Sequence, residues 1–265
     1  GDNATTSMVA AGKADFGVSY QEDVTYALTS EDPLPIKTIA TIIQHNTSGF
    51  VSLKSANINS VKDFEGKTYA GWGAPSEEAV IKAVMNEAGA DFSKLNIVGS
   101  DGSGIAGLSD EVGKNKVNLG WEFYGWAIIK AMQDGYDLNY MPLADLDSRL
   151  DYYTPVIITN NKMIKKNSDT IQKFMEATKK GYEYAIDHPS KAAEILHDDA
   201  LTDTDLKFLK KSQKYLSSQY TKDADSWGVM KDSVWDNYTD FMYETGLIDH
   251  KIDAKDQYTN EFVKY

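Results

Sequence analysis

Short β-branched apolar runs, separated by segments whose apolar residues recur at helical spacing, set the rhythm of this chain. It starts with a helix over residues 4–12 (Ala4, Met8, Val9 and Ala10, stopped by Gly12) and a strand over 14–18. A second helix opens through Ser19 to Asp23 and is carried by Val24, Ala27 and Leu28. After a loop over 31–35, Ile36 to Gln44 and Phe50 to Leu53 read as strands, and Ser60 caps a short helix closed by Gly66. Strand 67–70, helix 76–88 and strand 95–98 follow. The glycine-rich stretch 99–107 leads to a short helix ending at Val112, then strand 116–121, helix 127–133 and strand 138–142. From 169 to 245 the pattern is helical, over 171–186, 190–196, 204–216 and 226–245. The tail to Tyr265 has little periodicity and is expected to lie over the surface.

Strands alternating with helices predict a parallel sheet with helices on both faces. The alternation occurs on both sides of residue 55, so two such sheets are expected. Phe50–Leu53 leads to the helix capped by Ser60, and Pro155–Thr159 to one begun at Ser168-Asp169. Two strands carrying the chain out and back would produce this echo. The expected fold is therefore α/β, with two lobes, each a mostly parallel sheet flanked by helices, joined by two hinge strands. Lobe I takes 1–53 and 155–265, and lobe II 54–154.

Composition narrows the chemistry. The formal net charge of -13 argues against nucleic acid or an anionic membrane surface as partner, since both want clustered Lys and Arg. The absence of Cys removes thiol catalysis, disulfides and cysteine-ligated metals. No run of 18 apolar residues exists, and the chain begins at Gly1-Asp2-Asn3 with no signal peptide in view, as a processed chain would. His45, His188, His197 and His250 have no metal-ligand spacing; His188 reads as a helix-end cap and His45 as a strand end. Asp198, Asp199, Asp203 and Asp205 do not make an EF-hand loop, and Gly99, Gly102 and Gly104 depart from the dinucleotide fingerprint. No cofactor is expected.

The candidate chemistry is aromatic. Gly71 to Glu78 is a strand–turn–helix junction: Gly73 gives the turn its freedom, Ser76 sits in the cap region, Glu77 and Glu78 lie at the positive end of the helix dipole, and N–H groups are expected to face a ligand. Tyr20, Trp72, Trp121, Tyr124 and Tyr153 all stand near strand ends. In open α/β sheets ligands sit beyond the carboxyl ends of strands, so these rings are expected to gather in one pocket in a cleft between lobes. Aromatic faces stack on flat rings, and Gln21, Glu77 and Glu122 can bond the edge of a ring that carries amino groups.

On four stretches the chain resembles the solute-binding proteins of ABC importers, in the branch that binds thiamine pyrimidine precursors and is related to the nitrate, sulfonate and taurine binders. They are Ala14–Glu22, Gln44–Phe50, Gly71–Glu78 and Trp121–Trp126. The resemblance implies a two-lobed periplasmic-binding-protein-like (type II) fold that closes over its ligand without catalysis. It implies a formylaminopyrimidine or hydroxymethylpyrimidine ligand, an ABC permease transmembrane subunit as partner, and an extracytoplasmic place with membrane contact only through a lipid anchor or the permease. Family members begin with a further strand and helix that this chain lacks, so one strand of lobe I and some ligand contacts are expected to be missing or supplied separately. In the last stretch Ala127 stands where the family often has an acid. Three alternatives remain: a pyrimidine-precursor synthase of the same fold, a binder of another small ligand such as a sulfonate, and a remnant with a structural role. A sulfonate site would want Arg or Lys, and the only arginine, Arg149, lies away from the strand ends.

Overall fold

The computed structural model describes residues 4–263, and the chain divides into two units. One holds the residues up to Asn46 and from Asp151 on; the other is Thr47–Leu150. The first unit opens with α1 (Thr5–Ala10), β1 (Phe16–Ser19), α2 (Gln21–Thr29) and β2 (Ile36–Thr41). The second runs β3 (Ser48–Leu53), β4 (Thr68–Gly71), α3 (Pro75–Glu87), β5 (Asn96–Gly99), β6 (Leu119–Phe123), α4 (Ile129–Gln133), β7 (Leu138–Pro142) and α5 (Leu143–Leu146). A wide π-helical turn, Tyr124–Ile128, leads into α4. The first unit resumes with β8 (Val156–Asn160), α6 (Asn161–Lys166), α7 (Ser168–Asp187), α8 (Pro189–Asp199), α9 (Leu206–Ser217), α10 (Asp232–Glu244) and α11 (Ala254–Gln257).

Both passages between units fall earlier than the strand pattern suggested, at 46/47 and 150/151, and neither is a strand. The segments read as hinge strands, β3 and β8, each lie inside one sheet. Burial explains this: every residue of β8, and all of β3 except Leu53, is buried, which a sheet interior provides and a linker would not.

The sheets also correct the expectation of mostly parallel pairing. The first unit's order is β1-β8-β2, with β8 antiparallel to both neighbours. The second unit's order is β5-β4-β6-β3-β7, parallel across β5-β4-β6 and antiparallel where β3 meets β6 and β7. A crossover helix such as α3 forces its two strands parallel. β3 and β8 arrive after irregular passages, with no crossover to set their direction.

β8 is covered on both faces. Ile157 packs with Ile39, Ile43, Ile171, Met175 and Trp227, while Val156 and Ile158 pack with Val9, Val24, Ile36, Tyr153 and Trp235. A register shift between Thr38 and Ala40 lets β2 serve both clusters. The C-terminal tail is not draped over the surface: Phe262 and Val263 are buried in the Ile157 cluster, and Tyr258 bridges to Thr38. Too few apolar residues for a period are still enough to pack individually. The last two residues of that tail, and the chain start at Gly1-Asp2-Asn3, lie outside the described residues. One expected helix is shorter and another is absent: residues 226–231 are irregular, with Trp227 buried, and residues 108–112 form no helix, the 3₁₀ turn Gly104–Gly107 lying instead within the glycine-rich stretch. The helix α6 went unread; Asn160 caps it by accepting from the Met163 N–H at 2.9 Å.

Candidate functional site

In the second unit β4 ends at Gly71, the turn rises through Trp72 and Gly73, and α3 begins at Pro75. The periodicity of α3 buries Val80, Ile81, Val84 and Met85, and also Ser76 and Glu77. Glu77, expected to meet a ligand, is turned inward. Its carboxylate accepts from the N–H of Trp72 at 3.2 Å, from the N–H of Gly73 at 2.8 Å, and from the Tyr69 hydroxyl. The turn N–H groups read as facing a ligand are therefore engaged by Glu77. Two glycines allow this arrangement. Gly73 has φ +81°, and a Cβ on Gly71 would stand 2.0 Å from Glu77 Oε1. The consequence is electrostatic: a side-chain carboxylate already fills the place where this junction would hold an anion.

Trp72 projects beyond this closed turn and is 57% exposed. Its ring meets Trp121 at 5.1 Å between centroids and 62°. Trp121 in turn contacts the buried Phe50 at 5.8 Å, and Phe50 packs edge-on against Phe64 and Tyr69. A column of rings thus runs from the core of the second unit to an open indole face at the end of β4.

Tyr124 belongs to a different group. It packs against Tyr140 at 5.3 Å and joins the cluster of Val51, Ile105, Ile128 and Ala131. Val51 and Phe50 are neighbours in β3 and point to opposite faces, so the rings of the second unit form two groups rather than one. Glu122 pairs with Gly49 on the Val51 side, and a Cβ on Gly104 would lie 3.6 Å from its Oε1. Burial raises the Glu122 carboxyl above its ordinary value, and no cation offsets that burial.

In the first unit β1 ends at Ser19 and α2 begins at Gln21, leaving Tyr20 45% exposed between them. Gln21 is fully buried: its Oε1 accepts from the Tyr153 N–H at 2.8 Å and its Nε2 donates to the Val234 carbonyl at 3.2 Å. Tyr153 is core as well. Its hydroxyl accepts from the Lys231 N–H at 3.0 Å, and burial pushes it up to about 12. Both were read as ligand groups because they stand at strand ends; here those ends are packed under α10.

Other groups interact on and against α2. Tyr152 stacks on Tyr238 at 4.0 Å, and the Tyr238 hydroxyl donates to Glu22 at 3.2 Å. Burial raises Asp23, against a weak bond from Ser19, and pushes Tyr26 up to about 12 with help from Glu22 and Asp23. Buried side-chain atoms without a partner among the described residues include the Tyr26 hydroxyl. At the passages, His45 Nδ1 lies 2.6 Å from Asp151, whose other oxygen accepts from the Asn46 N–H at 2.8 Å, and His45 Nε2 lies 3.3 Å from Asp223. Asp151 is 106 positions from His45, a separation no local pattern reveals. His188 is the cap residue between α7 and α8, as read: its backbone N–H donates to the Tyr184 carbonyl at 2.8 Å, while its ring makes no cap bond at α8 and tilts against Tyr184. Among the described residues, no group of three or more His, Cys, Asp or Glu could hold a metal ion.

This fold is shared with solved periplasmic binding proteins. The chain matches the periplasmic sulfonate-binding protein of Methylobacillus flagellatus with a TM-score of 0.68 at 15% identity, covering 97% of this chain and 76% of that one. The chain belongs to the NMT1/THI5-like family, whose model matches residues 1–192. Relatives include a formylaminopyrimidine-binding protein of Halalkalibacterium halodurans, 25% identical over 193 residues, covering 71% of this chain and 56% of the relative. A riboflavin-binding protein of Chloroflexus aurantiacus is 23% identical over 251 residues, covering 89% of this chain and 67% of the relative. The match thus spans little more than half the length of the first relative.

Proposed function

We propose that this chain is the extracytoplasmic solute-binding component of an ABC importer and that it takes a flat, amino-bearing heterocycle of the formylaminopyrimidine type, without catalysis. The observation that carries this reading is an open indole face at the end of β4, with a carboxyl on the other face of the same sheet that is raised by burial. Trp72 is exposed and backed by Trp121, and Glu122 is raised by burial alone. In the first unit an exposed ring, Tyr20, likewise stands next to a carboxyl raised by burial, Asp23. Indole faces stack on electron-poor rings, and carboxylates accept from exocyclic amino groups and ring N–H groups. An anionic ligand is disfavoured because Glu77 occupies the turn donors and Arg149 is held by Asp147 at 2.6 Å. Two relatives carry the names of binders of flat nitrogen heterocycles, which agrees with this chemistry. Ligand contact is proposed for Trp72 and Trp121 at the end of β4, and an ABC permease is the proposed partner.

The test is a tryptophan-fluorescence titration with formylaminopyrimidine, with an alkanesulfonate in parallel. The pyrimidine is expected to saturate the signal and the sulfonate to leave it flat. Trp72→Ala should weaken pyrimidine binding by about 1–3 kcal/mol, the scale of losing an aromatic anchor, while its thermal midpoint stays unchanged. Saturation by the sulfonate alone, or an unaltered affinity in Trp72→Ala, would overturn the reading.

A further inference from the structure

The chain is acidic overall, yet one helix is not. Over Leu206–Ser217, α9 carries Lys207, Lys210, Lys211 and Lys214 and no acid. Their spacing puts them along one face of the helix, opposite the buried Phe208, Leu209 and Ser212. These lysines line an open groove of about 440 Å³, completed by Leu206 and by Ser190 in the first turn of α8. Pro189 is the first residue of α8, which is 11 residues long, so the positive end of that helix faces the same groove as the lysines. Lys210 is held by Glu194 at 2.6 Å, and Glu194 also takes Lys191 at 3.1 Å. Lys207, Lys211 and Lys214 are exposed.

We infer that this α9 face docks the first unit onto an anionic lipid surface through phosphate-bearing headgroups. Two observations favour a lipid surface over a discrete soluble phosphate. The groove is open, and its free cations stand on long exposed stems with no buried donor to fix a single anion; such a set suits a diffuse layer of charge. The overall charge of -13 does not oppose this, because screening at physiological salt limits interactions to about 8 Å, so only the face turned to the surface counts. The same charge orients the molecule, since the acidic remainder is repelled. The inference goes beyond the ligand reading and does not depend on the identity of the solute.

The experiment is co-sedimentation of the full chain, without solute, with vesicles of phosphatidylcholine alone and with about one-third phosphatidylglycerol. Binding is expected only to the anionic vesicles and should fall as salt is raised. Each lysine near such a surface contributes roughly fivefold in affinity, so the triple variant Lys207→Gln, Lys211→Gln, Lys214→Gln should bind roughly 100-fold more weakly. Circular dichroism should show the variant folded, and Lys→Arg at the same three positions should retain binding. Failure of the parent chain to bind anionic vesicles at physiological salt would overturn the inference, as would equal binding by the Gln variant. Saturable binding of inorganic phosphate with no vesicle binding would identify a soluble oxyanion as the occupant and overturn it too. Pyrimidine affinity, measured separately on the Gln variant, is expected to match the parent, so failure here is distinguishable from failure of the solute reading.

Discussion

Glu77 holds three hydrogens at once, from the backbone of Trp72 and Gly73 and from the Tyr69 hydroxyl. Its place in the first turn of α3 was legible as a helix-dipole acid, but its direction was not. Direction depends on the absence of a Cβ at Gly71 and on Tyr69 reaching the same point from β4. Glu77→Ala leaves two backbone donors and a buried hydroxyl without their acceptor. Each such loss costs about 1–3 kcal/mol, and water reaches the open side of the turn, so a total of about 2–4 kcal/mol is expected in urea denaturation. Glu78 is exposed one position on, and Glu78→Ala should stay within about 0.5 kcal/mol. Equal losses in the two variants would refute the capping role. The aromatic residues read more easily, because strand ends are visible in the alternation that precedes them. Which rings stay open was decided by packing: Trp72 is exposed, whereas Tyr153 is sealed under α10.

At the scale of elements, the irregular segments matter most. His45 lies one residue before the first passage between units, and Asp151 begins the second, so their contact fastens the two passages to each other within the first unit. The hydrogen bond to Asp151 is the largest influence raising His45 above its ordinary value of 6.5; burial opposes it, Asp151 and Asp223 add favourable charge, and Lys222 subtracts some. A raised folded pKa means that the pair's stabilisation is complete below the unfolded value and is lost as pH rises through the folded one. The thermal midpoint of His45→Asn should therefore fall furthest below the parent at about pH 5.5, and the gap should narrow by about pH 8.5. A gap that widens with pH would contradict the assignment. The amphipathic helices α7, α9 and α10 were readable from period alone, because each buries one stripe. Strand direction was not, because side-chain alternation is identical in parallel and antiparallel strands.

Across the whole molecule, the two units are built differently in sequence. The second is one continuous segment, Thr47–Leu150, while the first is assembled from both ends of the chain. Its closure depends on residues far apart: Phe262 and Val263 pack with Ile39, Ile157 and Trp227, and the Trp227 Nε1 donates to the Ile42 carbonyl at 3.2 Å. Phe262 is 3% exposed, so Phe262→Ala opens a cavity beside β2 and β8 and should cost about 3–5 kcal/mol in chemical denaturation. A loss under about 1 kcal/mol would return the tail to the surface. Net charge is another property that misleads when averaged. The total of -13 conceals the lysine face of α9, which only the folding of that segment into one helix brings together.

The amino-acid pattern by itself determined most of the helices and strands, though not α6, as well as the existence of two sheets and which aromatic residues stand at strand ends, because period and turn chemistry act over a few residues. Tertiary structure alone decided strand direction, the exact passages between units, the burial of the C-terminal residues and the fate of each polar group near the rings. Those depend on partners such as Asp151 for His45, or Val234 for Gln21, more than 100 positions away, and no local rule encodes a contact whose other half is brought in by folding.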